Sequence, residues 1–262
     1  MKISSLVGLL AALFVISISI ATSSKSTEIF LDPHGILIVL GGTMAAGMMS
    51  FPLRFYIRVF GVFIDKFLGS YGTRSDLVIQ EIVDLSRGLR ADPNYLKEKV
   101  QAIKTPFLKD AIQLLVQGGI PESALEEILI KRAVTHSKRY DHDVNVFRTI
   151  AKFPPAFGLM GTTLGMISLL QQLGEKDAQK LMGPAMAIGL VATFYGLVLA
   201  NLVFIPIAEN LAMINREDDT VRMIIIDGFR LIHRGEHPKI VEEHLKSYLL
   251  PQERESLKRM AS

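Results

Sequence analysis

The strongest constraint in this chain is an alternation. Long runs without a charged side chain are separated by blocks dense in charge. The uncharged runs are residues 3–21, 36–51, 153–173 and 184–207. A helix of about 20 apolar residues crosses a hydrocarbon core of roughly 30 Å. In lipid every backbone polar group must be satisfied internally, so only helices and closed barrels can span it. The runs lack the two-residue alternation that a barrel strand needs. The expected fold is therefore an all-α integral membrane protein with four transmembrane helices. A large helical cytoplasmic domain lies between spans 2 and 3, and a helical tail follows span 4. Lys2 and the short N-terminus also suit a cleavable signal peptide, but no A-x-A site follows the first run.

Orientation follows from the placement of positive charge. Sixteen of the 29 Lys and Arg residues fall within 53–152 and nine lie after residue 208, against three in the two short links. Positive loops stay inside, so both large blocks and both termini are expected in the cytoplasm. The net charge of +3 then belongs to the cytoplasmic face and gives no reason to invoke nucleic acid. Four parts result: 1–52 with spans 1 and 2 and a short external link, 53–152 as a cytoplasmic helical domain, 153–207 with spans 3 and 4, and 208–262 as a helical tail.

Within 53–152 apolar residues return at helical spacing, as in Leu77, Ile82, Leu85 and Leu89, or Phe107, Ile112, Leu115 and Val116. Asp92-Pro93, Thr105-Pro106 and the stretch GGIP at 118–121 mark helix boundaries. Several short helices are expected, then a long one from about Glu122 to the third span.

Enzyme chemistry has no foothold. The chain has no cysteine, which excludes disulfides and thiolate metal sites. It contains no phosphate-binding G-x-x-x-x-G-K-[ST], no H-E-x-x-H and no G-x-S-x-G. His136 and His142 are six apart, which is no ligand spacing. No enzyme activity, metal or cofactor is expected. The spans also hold almost no ionisable group, so the carboxylate that an ion pump needs in the membrane is missing. Either the chain conducts nothing or a partner brings the acid.

The third span opens with FPPAFGLMGTTLG, residues 153–165. Proline is tolerated at a helix start. Gly158, Gly161 and Gly165 form a seam that lets another backbone approach closely. Gly189 and Gly196 form a matching seam in the fourth span, with Thr193 one turn from Gly189. Two readings of Thr162 and Thr193 stay open. Their hydroxyls bond their own i−4 carbonyls on a plain packing surface, or they line a thin hydrated path beside a partner's acid.

Four stretches resemble one family. They are FLDPHGILIVLGGT (30–43), PPAFGLMGTTLGMI (154–167), ATFYGLVLAN (192–201) and DGFRLIHRGEHPKIVEEHLKSYLLPQER (227–254). Together with the four-span layout, they resemble the flagellar motor stator A-subunit family (MotA/PomA), within the wider MotA/TolQ/ExbB superfamily. The resemblance implies a bacterial inner-membrane motor subunit that couples the flow of H+ or Na+ to torque. It implies a homopentamer around a dimeric B-type subunit that brings the membrane aspartate and a peptidoglycan-binding domain. It further implies contact with the rotor switch-complex ring (FliG-type). By position, Thr162, Thr193 and Asp32 fall on the ion path, and Pro155 and Pro206 on coupling positions. Arg87 and Arg90 fall on the rotor contact, where LSRGLRADPNYLKEK departs from the family pattern and Asp92 and Glu98 compete as the acidic partner. The resemblance also implies that the first span is kept. Alternatives are a TolQ/ExbB-like energiser of outer-membrane processes, whose relatives carry one span before the cytoplasmic loop, or a passive scaffold. The choice between proton and sodium stays open.

Overall fold

The computed structural model describes residues 3–23, 27–52, 74–173 and 178–254. All regular structure among them is helical. Helix α1 is Ile3–Ser23, and a 3-10 turn covers Thr27–Phe30. Helix α2 is Pro33–Ser50, with a π turn at Leu37–Gly41. Then come α3 (Ser75–Ala91), α4 (Tyr95–Lys99), α5 (Pro106–Gln117) and α6 (Glu122–Ile150). Helix α7 is Phe153–Gln172. Helix α8 starts at Ala178, passes a π turn at Leu199–Phe204 and continues to His233. Helix α9 is Pro238–Lys246.

Among the described residues three helical runs are long and apolar enough to cross a membrane: Pro33–Ser50, Ser123–Gln171 and Met182–His233. The stretch expected to form the first span falls on α1, whose apolar part Leu10–Thr22 is a shorter segment. The helix that holds the fourth apolar run is longer than that run at both ends. It begins at Ala178 rather than Pro184, because Ala, Gln, Lys, Leu and Met are good helix formers. It also runs past Ile207 without a break.

The chain divides into two compact units, each built from two stretches of sequence. One holds Met1–Tyr71 and His142–Ala212, the other Gly72–Asp141 and Met213–Ser262. In the second unit, loop block and tail share one core. Val78, Ile79, Ile82, Val83 and Leu85 of α3 pack with Leu108, Ala111 and Ile112 of α5, Leu125 and Leu129 of α6, and Ile224, Ile225 and Phe229 of α8. Leu77 does not belong to this face. It is 48% exposed, because the buried stripe runs through Val78, Ile79 and Ile82, one step round the helix. Helix α9 closes the unit with Val241 and Leu245.

The glycine turns have local causes. Gly118 ends α5 at φ 69° and Gly119 follows at φ 78°, left-handed positions that favour glycine. Gly235 ends α8 at φ 70°. There the Gly235 N–H bonds Ile232 O and the Glu236 N–H bonds Leu231 O, the double bond of a Schellman stop. Pro238 then opens α9, so the G-E-x-P run is the punctuation between two helices.

Candidate functional site

Helices α7 and α8 meet along the two glycine seams. A Cβ on Gly158 would lie 2.9 Å from Thr193 Cα, and one on Gly189 would lie 2.8 Å from Thr162 Cα. On Gly161 it would lie 2.5 Å from Ala192 Cβ, and on Gly165 2.9 Å from Ala185 O. On Gly196 it would lie 2.4 Å from Pro154 O and 3.1 Å from Pro155 Cα. At Gly158, Gly165, Gly189 and Gly196 backbone thus meets backbone, and at Gly161 it meets the Ala192 methyl, approaches that only glycine permits.

That approach brings two hydroxyls together. Thr162 Oγ1 and Thr193 Oγ1 are 2.5 Å apart, and either can donate. Thr162 Oγ1 also lies 3.2 Å from Gly158 O and 3.2 Å from Gly189 O. Thr193 Oγ1 lies 3.0 Å from Gly158 O and 3.3 Å from Gly189 O. Each hydroxyl therefore reaches its own i−4 carbonyl and also the carbonyl across the seam. Four oxygens share two hydroxyl hydrogens, and a hydroxyl keeps two lone pairs. The cluster can turn lone pairs toward a cation or accept a proton donor without breaking the helices. Thr163 stands outside it, exposed and bonded to Leu159 O at 3.0 Å.

Asp32 is the N-cap of α2. Its carboxylate accepts from Gly35 N at 2.7 Å and from His34 N at 3.3 Å, as a helix start favours. Its side chain is only 14% exposed. A Cβ on Gly35 would meet Ala192 Cα at 3.4 Å. Helix α2 therefore starts against the first third of α8, roughly 20 Å along it from Ala178 at 1.5 Å per residue.

Sequence reasoning assigned no role to Tyr195. Its hydroxyl donates to Phe30 O and accepts from Asp32 N at 3.3 Å. A tyrosine in an apolar run was the available signal, since its polar tip needs a partner when buried.

Pro155 sits in the first turn of α7, half-buried, beside buried Pro154. Pro206 is exposed and follows the π turn of α8. There the Ile205 N–H bonds Ala200 O, five residues back. The wider turn accommodates a residue without an N–H whose ring clashes with the preceding turn.

The second unit carries the charged candidates. Arg87 is 61% exposed, 3.4 Å from Asp84 and 3.7 Å from Glu242. Arg90 is exposed in the last turn of α3. Asp92 accepts from Asn94 N at 2.8 Å, forming the turn into α4, and Glu98 is exposed on α4. Elsewhere in this unit Arg230 bonds Glu126 and Asp227. The Arg230 hydrogen bond holds the Glu126 carboxyl below its usual range. Burial, then the hydrogen bond to Asp227, pushes Tyr248 up to about 12. Among the described residues no three His, Asp or Glu side chains converge as metal ligands would.

Comparison with known proteins places this geometry. The model of the MotA/TolQ/ExbB proton channel family matches residues 99–224. Motility protein A of Borreliella burgdorferi is 31% identical over 262 residues, covering 98% of this chain and 97% of that protein. Chemotaxis protein PomA of Vibrio alginolyticus is 30% identical over 249 residues, covering 95% and 96%. The flagellar MotAB stator complex from Bacillus subtilis contains a chain of the same fold, with a TM-score of 0.85 at 22% identity over 96% of this chain and 97% of that one.

Proposed function

This chain belongs to the flagellar motor stator A-subunit family (MotA/PomA), and we propose that it works as the torque-generating subunit that, with a B-type partner, couples ion flow across the membrane to rotation of the flagellar rotor. The observation that carries the reading is the Thr162–Thr193 pair, two hydroxyls 2.5 Å apart over two glycine carbonyls. It is an ion-solvating cluster on a chain whose four apolar runs lack a carboxylate of their own. The partner's membrane aspartate would complete it. Binding of H+ or Na+ to that acid removes a buried charge, and each change biases the ring of A subunits to step round its axis. Thr162 and Thr193 solvate the ion in transit, weakly enough to release it.

In this reading residues 3–21 cross the membrane as a fourth span and both termini face the cytoplasm. Five copies surround a B-type dimer anchored to peptidoglycan. Pro155 and Pro206 mark the bends through which α7 and α8 pass motion on. Arg87, with Arg90, meets the rotor ring, and Asp32 caps α2 beside the path. Two apolar runs precede the cytoplasmic block here, which favours the stator over a TolQ/ExbB-like energiser with one.

Deletion of this gene alone tests the function. Fully flagellated, paralysed cells rescued by the gene are expected. Normal swimming in a strain without other stators would overturn the reading, and an outer-membrane uptake defect would favour the energiser.

A further inference from the structure

Tyr195 joins three things that the ion-path reading leaves separate: the start of α2, the first third of α8 and the threonine pair. The chain from Thr27 to Asp32 is a 3-10 turn and a two-residue extension packed against α8. Non-helical backbone in an apolar setting must have its polar groups satisfied. Two backbone groups of this segment and two of the first turn of α2 find partners here. His34 N and Gly35 N bond the Asp32 carboxylate. Phe30 O and Asp32 N both bond the Tyr195 hydroxyl. A single phenol oxygen thus serves one acceptor and one donor of the same segment. The surroundings are aromatic: the Phe30 ring meets the Phe194 ring edge-on at 6.0 Å.

The consequence reaches the threonines through Ala192. Gly35 of α2 approaches Ala192 on one side, and Gly158 and Gly161 of α7 approach it on another. The 2.5 Å contact of Thr162 with Thr193 needs that α7 approach. We propose that Tyr195 is a positioning residue for the ion path: its hydroxyl pins the start of α2 onto α8 and so holds the Ala192 backbone where α7 can bring Thr162 to Thr193. Without the hydroxyl, Phe30 O and Asp32 N seek other partners, Gly35 leaves Ala192, and the pair loosens. The inference rests on the ion-path reading of the threonines.

The test uses Tyr195→Phe, which removes one oxygen, and Thr193→Val beside it, both in whole cells with the full stator. Bead rotation is recorded as stators join a motor one at a time. The height of each speed step reports torque per stator, and the number of steps reports assembly. Tyr195→Phe is expected to lower step height about fivefold, the scale of one lost hydrogen bond. Overproduction restores the number of steps if assembly also suffers, and step height remains the readout. Fewer steps of normal height would make Tyr195 a merely structural residue and overturn the proposal. Normal step height in Thr193→Val would instead remove the ion-path reading beneath it. Lowered height in Thr193→Val with normal height in Tyr195→Phe overturns the positioning role alone. In the purified complex, faster hydrogen exchange at residues 32–36 of Tyr195→Phe is the expected companion result.

Discussion

Thr162 and Thr193 stand across the α7–α8 seam in near-equivalent positions, each hydroxyl within 3.3 Å of both Gly158 O and Gly189 O. The two candidates for their role separate at this point. A hydroxyl that serves only its own helix is dispensable, because the i−4 carbonyl it serves already has a backbone partner. A hydroxyl that solvates an ion is not. Thr193→Val keeps the shape and removes the oxygen, and Thr162 retains two carbonyl partners, so assembly survives. A hydrogen bond to a charged group is worth about 1.5–3 kcal/mol, or roughly ten- to a hundredfold in rate. Ion flux and torque are expected to fall on that scale in Thr193→Val and to recover in Thr193→Ser. Ion uptake by cells producing the full stator measures the first, and tethered-cell rotation the second. Normal flux in the valine variant would leave only the packing role.

The seam itself was legible in the sequence, and the reason is physical. Small residues at helical spacing in an uncharged run have few uses other than close helix contact, and Gly158, Gly161, Gly165, Gly189 and Gly196 all sit there. The all-helical character was legible for a similar reason, since charge segregation and apolar spacing act locally. Three features were not. Leu77 fits the helical period as well as Val78 does, and only the position of the neighbouring helices decides which is buried. The run of α8 past Ile207 was hidden because charge marks where an apolar surface stops, not where a helix does. The Tyr195 pin joins groups 163 and 165 residues apart, and no local pattern encodes such a pair.

Gly196 gives a sharper test of the seam than its neighbours. Its missing Cβ would lie 2.4 Å from the Pro154 carbonyl. Two backbones meet there, and neither can swing aside as a side chain would. Gly196→Ala should part α7 from α8 at a cost of about 1–3 kcal/mol. Gly41→Ala, whose nearest neighbour is the Leu37 side chain at 3.8 Å, should be tolerated. Thermal unfolding and yield of the detergent-solubilised complex compare the two, and equal behaviour would refute the close approach.

Arg87 presents the opposite case, a side chain proposed to act outside its own unit. At 61% exposure its pairs with Asp84 and Glu242 are surface pairs, worth at most about 1 kcal/mol. Arg87→Glu should therefore leave unfolding within about that margin. It should weaken stator recruitment to the rotor and still permit ion conduction. Counting stators on motors with a fluorescent fusion, beside ion uptake, separates the two effects. Loss of membrane insertion would contradict the rotor role.

Glu126, Arg230, Asp227 and Tyr248 make stability depend on pH at both ends of the scale. The Arg230 hydrogen bond lowers the Glu126 pKa from its ordinary 4.5. A lowered carboxyl contributes stability above its unfolded value and loses it as pH falls through the folded one. Tyr248 is the reverse. Burial and the bond to Asp227 raise its pKa from 10.0 to about 12, so its contribution is complete below pH 10.0 and is lost as pH rises through about 12. Glu126→Gln should lower stability at neutral pH by about 1 kcal/mol, and its difference from wild type should shrink as pH falls below 4.5. Tyr248→Phe should remove the loss between pH 10.0 and about 12 and leave the acid limb unchanged. Thermal unfolding of the solubilised complex across pH reads both, and a Glu126→Gln deficit that persisted at pH 3, about 1.5 units below the unfolded value, would show that the pair acts through packing rather than charge.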